Sequence, residues 1–258
     1  MLDIHTTAVV HPGAEIDNDV TIGPYAVIGE HVQIGAGTDV GPHAIVTGYT
    51  RMGRHNRIHP HAVVGGPPQD LKYRGEETYL VIGDNNTIRE CVTMNLACIE
   101  GESTVVGNNC LFMTNAHVGH NARVGDFAIL ANSVSLAGHV EIQDHAIIGG
   151  HTPVHQFCRV GTYAIVGGGY RVVQDVPPFM MAGGYPIRIS GPNVIGLERA
   201  GFDETRRRNI KRAHRLITRS NLNVSQAVAR LREEFGPEDE DIRMLVEFIE
   251  TSERGIIV

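Results

Sequence analysis

The sequence predicts a mainly β protein: a parallel β-helix of six-residue repeats closed by a small α-helical domain. Three observations predict it. An aliphatic residue returns at every sixth position for about 160 residues. The composition holds 30 glycines and no Trp, which suits a core of small and branched aliphatics rather than large rings. Beyond residue 190 the apolar spacing becomes helical.

The six-residue frame starts at Val10 and runs through Ile16, Ile22, Ile28, Ile34, Val40, Val46, Met52, Ile58 and Val64. It resumes at Ile82 and continues through Phe112, Val118, Leu130, Leu136 and Ile148 to Val172, broken only by Asp70, Glu76 and Glu100. The next position is often glycine, as at Gly23, Gly53, Gly107 and Gly125, where it allows the tight backbone of a corner. The position two before the aliphatic is small. Ala26, Ala62, Ala116, Cys98, Cys110 and Cys158 occupy it, so these cysteines read as core filler. One repeat gives a short strand and a turn. Three repeats make a triangular coil of 18 residues, and coils stack at about 4.8 Å.

The breaks at Asp70 and Glu76 place a loop at 65–79 outside the coil, and Glu100 marks a smaller excursion. The β-helix is expected over 1–189 and the helical domain over 190–258. Ile210, Ala213 and Ile217 share one helix face; Val224, Ala227, Val228, Leu231 and Phe235 share a second; Ile242, Leu245, Val246 and Ile249 share a third. Asn223 with Gln226 three residues on reads as an N-terminal cap, and Gly236-Pro237 as a stop. Such a domain covers the last coil, which would otherwise be an unpaired sheet edge.

The 22 basic and 29 acidic residues leave a net charge of -7, which argues against wholesale nucleic-acid binding. No secretory signal is visible and no apolar run approaches the roughly 20 residues that span a bilayer, so a cytoplasmic protein without membrane insertion is expected. The four cysteines show no CxxC spacing, and neither a zinc ribbon nor a redox motif is supported.

Residues 18 apart stack on one another, which turns the sequence into a map. His120, Gly138 and Gln156 form one column, and Asn121, His139 and Phe157 the next. His117 shares a coil with His120, His155 adjoins Gln156, and His151 lies in an adjoining column. Two chemistries fit such an edge. Three imidazoles can hold Zn²⁺, or one imidazole can act as a general base near neutral pH. Spacing alone does not separate them. A passive scaffold would need neither this edge nor the loop.

The segments NAHVGHNARVG (115–125), LAGH (136–139), HTPVHQF (151–157), QDLKY (69–73), QDVPPF (174–179) and RAGF (199–202) resemble the UDP-N-acetylglucosamine 3-O-acyltransferase family, hexapeptide-repeat enzymes that open lipid A synthesis. The resemblance implies a left-handed coil, a homotrimer, and transfer of a 3-hydroxyacyl chain from acyl carrier protein, with no metal and no cofactor beyond that carrier. It makes His120 the general base and Gly138 the N–H donor to the oxyanion. It makes Gln69, Asp70, Lys72, His117, His139, His155 and Gln156 contacts to a UDP-amino-sugar, with Asn193 and Arg199 at the nucleotide. Gly168 matches the position that limits acyl length, and a glycine there implies a longer chain. This sequence departs from the family at Asn121, where an Asp is usual, at Asn95, where many members have His, and at Ile195 and Ala200. These departures keep in view a 3-amino sugar acceptor, a histidine–zinc hydratase on the same fold, and the related N-acyltransferase of the same pathway. A cluster of Arg206, Arg207, Arg208, Lys211 and Arg212 stands out in an acidic chain. Without interleaved aromatics it reads as a dock for acidic acyl carrier protein rather than for nucleic acid.

Overall fold

A computed structural model describes residues 2–258. Its 27 strands, most of them two residues long, form three sheets of eleven, eight and eight strands, the walls of a left-handed parallel β-helix. Partners in adjacent coils lie 18 residues apart, as in Leu111↔Ile129 and His117↔Ser135. The separation grows to 30 residues at Tyr49↔Tyr79 and to 24 at Tyr79↔Ser103. The two excursions therefore insert two whole repeats and one whole repeat, and the frame is never lost. The first is narrower than the 65–79 read from the sequence. Gly65 and Gly66 close the strand Val63–Gly66, and Tyr79 opens the strand Tyr79–Ile82.

The frame residues line the interior. Ile22, Ile28, Ile88, Phe112, Leu130, Leu136 and Ile148 are essentially inaccessible. The small slot also takes buried polar residues where each polar atom finds a partner. Asn56 donates to Gly83 O at 2.9 Å and accepts from Asn86 N–H at 2.9 Å; Asn86 in turn accepts from Cys110 N–H at 2.8 Å. Paired in this way, the amides avoid the cost of buried unsatisfied groups.

The glycine slot corrects the sequence reading. Gly23, Gly53, Gly107 and Gly125 do not adopt the left-handed conformation. They are glycine because a Cβ would strike the next coil: at Gly53 it would lie 2.0 Å from Asp84 Oδ1, and at Gly125 2.2 Å from Asp144 Oδ1. The left-handed residue sits two positions further on. Asn85, Asn109, Asn115, Asn121, His43, His61, His139, His145 and Phe157 all occupy that slot. Asn and His are among the residues enriched in this region, and rings placed there stack coil on coil. Phe127–His145 and His145–Tyr163 lie 4.7 and 4.4 Å apart, nearly parallel.

Beyond the last coil the strand Met180–Gly183 pairs back with Arg188–Pro192 in an antiparallel hairpin that the frame gives no sign of. Four helices follow: α1 (Val194–Arg199), α2 (Glu204–Thr218), α3 (Val224–Phe235) and α4 (Glu240–Glu250). A capping box between Asn223 and Gln226 starts α3. Leu197, Ile210, Ala213, Leu231, Leu245 and Phe248 form the helical core with Phe179 and Met180 from the end of the β-helix. No helix is long and apolar enough to cross a membrane.

A buried ion pair joins the two parts. Asp175, 1 % exposed, accepts from Arg159 Nε at 3.1 Å, from Arg159 N–H at 2.8 Å and from Ser252 Oγ at 2.8 Å. The Arg159 guanidinium also donates to Phe248 O at 2.7 Å and lies over the Phe248 ring. Removing one partner of such a pair strands a buried charge, at a cost of about 3–5 kcal/mol. Asp175→Ala is therefore expected to lower the unfolding free energy by that order, read from urea titration. In α2, burial and then Arg219 and Arg215 push the imidazole of His214 below its ordinary range. The unfolded chain takes up that proton first, at about pH 6.5. Stability should thus be full above that pH and fall as the solution is acidified below it. His214→Gln is expected to flatten the slope, measured by thermal melts from pH 7.5 to 5.

Candidate functional site

The corners of the prism differ, and one of them carries a regular cap. At the regular corner the residue two after the aliphatic points its N–H outward, and an Asx side chain from the next coil caps it. Arg54, Asp84, Asn108 and Asp126 N–H donate to Asp84, Asn108, Asp126 and Asp144 Oδ1 at 2.7–2.8 Å. His120 and Gly138 hold the same slot at the other corner. The N–H of Gly138 finds no acceptor among the described residues. It borders an open groove of about 430 Å³ lined by Gln69, Asn95, His117, His120, His155 and Arg171, among others.

The His120 ring lies flat against Gly138. A Cβ at that glycine would fall 2.5 Å from Nε2 and 2.4 Å from Cε1. An imidazole nitrogen and an uncapped amide thus share a space the size of one tetrahedral carbon and its substituents. Nδ1 of His120 is 2.9 Å from Asn121 Oδ1. His139 meets the His120 ring edge-on at 5.3 Å and stacks on Phe157 at 4.8 Å. His117 Nδ1 is held 2.7 Å from Thr93 Oγ1, and His155 Nδ1–H donates to Gln156 O at 3.1 Å. Burial, and then the neighbouring His120, push both His117 and His139 below the ordinary imidazole range, so both are neutral at pH 7.

The sequence-derived residues divide by location. Gln69, His117, His120, Gly138 and His155 line the groove. His139 adjoins it, and the charge of Asp70 reaches both His139 and Cys98. Lys72 donates its N–H to Asp70 Oδ1 at 2.8 Å in the loop, and Gln156 is exposed at the rim. Asn193 and Arg199 border a second groove with Phe127, His145, Tyr163 and Ile195. Asn193 also caps α1 and donates to Tyr163 O at 2.9 Å. Gly168 is exposed and stacks over Gly150, between Ile165 of the second groove and Arg171 of the first. His151 lies on a different corner, in the left-handed slot.

Four residues of this corner escaped the sequence reading. Arg171 was legible, since Ser135, Pro153 and Arg171 fall 18 apart and all line the groove. Thr93 was not, because the second excursion lies between it and His117, whereas Glu102 falls 18 before His120 in unbroken register and could have been counted off. Cys98 was misread as core filler. Glu100 breaks the frame beside it, and its thiol stands half-exposed near His120 and His139, their ligand-capable atoms all within 4.8 Å of one another. Burial and then Asp70 push the Cys98 thiol up, so it stays protonated beside the two imidazoles. Asn95 donates to Pro67 O at 3.0 Å, while its buried Oδ1 has no partner and is free to receive a donor in the groove.

In the patch on α2, Arg206 pairs with Asp241 at 2.8 Å and lies over Phe202, Arg207 pairs with Glu198 at 3.2 Å, and Arg212 pairs with Glu234. Arg208 and Lys211 are exposed and lack a carboxylate partner among the described residues.

Residues 175–257 match a family described as UDP N-acetylglucosamine O-acyltransferase, domain 2, and residues 13–48 match the bacterial transferase hexapeptide repeats. An acyl-[acyl-carrier-protein]--UDP-N-acetylglucosamine O-acyltransferase from Anaeromyxobacter dehalogenans is 49 % identical over 98 % of both chains. Its counterpart from Paraburkholderia phymatum is 44 % identical over 100 % of both. Among solved structures, the UDP-N-acetylglucosamine acyltransferase of Bacteroides fragilis superposes with a TM-score of 0.95 at 44 % identity, covering 98 % of this chain and 99 % of that one. LpxA from Acinetobacter baumannii gives 0.96 at 42 % identity, covering 99 % of each.

The site geometry makes one substitution decisive. Gly138→Ala should displace the His120 ring and lower kcat about 10²-fold. Steady-state kinetics would read the loss, with the melting temperature as the control for folding.

Proposed function

Since the chain belongs to the UDP-N-acetylglucosamine O-acyltransferase family, we propose that it transfers a 3-hydroxyacyl chain from acyl carrier protein to the 3-hydroxyl of UDP-N-acetylglucosamine, the step that opens lipid A synthesis. The observation that carries the reading is the contact between the His120 ring and Gly138. The Nε2 of His120 takes the proton of the sugar hydroxyl as its oxygen attacks the thioester carbonyl. The negative charge that builds on the carbonyl oxygen is received by the Gly138 N–H, an amide already in place with no partner to give up. Collapse of the intermediate breaks the carbon–sulfur bond, and the imidazolium returns its proton to the departing carrier thiolate.

The other residues hold the substrates. Gln69, Asp70, Lys72, His117, His139, His155 and Gln156 orient the sugar and the acyl group, and the unpartnered Asn95 Oδ1 supplies a further acceptor. Asn193 and Arg199 take the nucleotide in the second groove, where a guanidinium suits a diphosphate. The glycine at 168 leaves room for a long acyl chain. Arg208 and Lys211, without a carboxylate partner among the described residues, steer acidic acyl carrier protein. Arg206, Arg207 and Arg212 have carboxylate partners within the helical domain and contribute less.

A single prism offers only open grooves, and Leu71 projects from the loop 95 % exposed. Both features support a homotrimer in which the loop packs on a neighbour and a seam between protomers closes the site. The expected compartment is the cytoplasm.

The reading is tested with purified protein, a set of 3-hydroxyacyl carrier proteins and UDP-N-acetylglucosamine, with products read by mass. His120→Ala should abolish transfer while light scattering still gives a trimer mass. Turnover of that variant near the wild-type rate would refute the assignment.

A further inference from the structure

The family's usual carboxylate beside the catalytic histidine is an amide here, Asn121. Its orientation is fixed by groups that can act in one way only. Oδ1 accepts from the backbone N–H of Cys98 at 3.0 Å, and Nδ2 donates to Glu102 Oε2 at 2.6 Å. A backbone N–H cannot accept and a carboxylate cannot donate, so the amide cannot be flipped. Its oxygen is therefore what faces His120 Nδ1 at 2.9 Å, and Nδ1 carries the proton. Nε2 is left with its lone pair toward Gly138.

Asn121 is 8 % exposed, lies in the left-handed conformation, and is also held by its N–H to Thr104 Oγ1 at 2.8 Å. It is a rigid connector. When His120 accepts a proton, the positive charge has no anion in direct contact, and the carboxylate of Glu102 stands one amide away. Cys98, His117 and His139 also surround the ring, and none of them is anionic. The loop residue Asp70 adds a negative charge on the His139 side.

From this relay we infer that Glu102 is a positioning residue of the acyl transfer, replacing at one remove the missing aspartate: it fixes Asn121, which fixes the His120 tautomer, and its charge stabilises the imidazolium. The inference rests on the assignment of His120 as the base, so the experiment separates the two.

Glu102→Gln keeps an oxygen that can accept from Asn121 Nδ2 and removes only the charge. It is expected to lower kcat about tenfold with KM for the sugar nucleotide unchanged within about twofold, and to leave the melting temperature in place because Glu102 is exposed. Adding Asn121→Asp to Glu102→Gln puts a carboxylate directly on His120 Nδ1, supported by the new glutamine N–H, and should recover most of the lost kcat. Asn121→Asp alone sets two carboxylates against each other, where one must hold a proton, and should be slower than the double variant. Glu102→Gln turning over like wild type while His120→Ala is dead would overturn the role of Glu102 alone. A slow Glu102→Gln that Asn121→Asp fails to rescue would also overturn it, as a structural effect. Activity in His120→Ala would overturn the base on which both depend.

Discussion

Consecutive coils approach each other so closely at the corners that Gly35, Gly53, Gly83, Gly107, Gly119 and Gly125 have no room for a Cβ, and much of the molecule is arranged around that closeness. At the regular corner the space is taken by an Asp or Asn from the coil above, which folds over the glycine and caps the outward N–H. Four successive coils thereby gain a hydrogen bond for a backbone donor that the tight corner would otherwise strand. The same spacing sets the ring stacks of the left-handed slot and the ladder of branched aliphatics inside.

The candidate site lies at a corner without that cap. Gly138 sits one position after the glycine slot, where the capped residues sit elsewhere, and His120 reaches it from the coil below. The coil above offers Gln156 in place of an Asx, and the Gly138 N–H has no acceptor among the described residues. The neighbouring coils hold both partners rigidly. Preorganised dipoles of this kind cost no reorganisation when charge develops. The surrounding imidazoles, kept neutral by burial, add shape and hydrogen-bonding capacity without adding positive charge beside the base.

Much of this was legible, because a period of six and a stack of 18 are arithmetic. The frame named the buried ladder from Ile22 to Val172, and adding 18 to 120 named Gly138. The arithmetic failed where whole repeats leave the coil. Cys98 lies in the second excursion, so its position relative to His120 cannot be counted off; Glu102 falls 18 before His120 and can be, but only folded contacts reveal that its carboxylate reaches Asn121. The histidines misled in a different way. His43, His55, His61, His139, His145 and His151 share a backbone conformation that favours His and Asn, so their abundance reflects local geometry at least as much as chemistry. The hairpin Met180–Pro192 was invisible because its pattern is neither six-fold nor helical. The reason for the glycine slot was also misjudged, since spacing shows where a side chain is absent but not whether conformation or crowding removed it.

The closure at Arg159 and Asp175 locks a lid onto the last coil. The hairpin, the helices and the returning segment at Ile256 cover it. A fibre of stacked coils grows only through open rims, and on this side the lid leaves none, so a fold built of near-identical rungs is closed to end-on polymerisation where its helices sit.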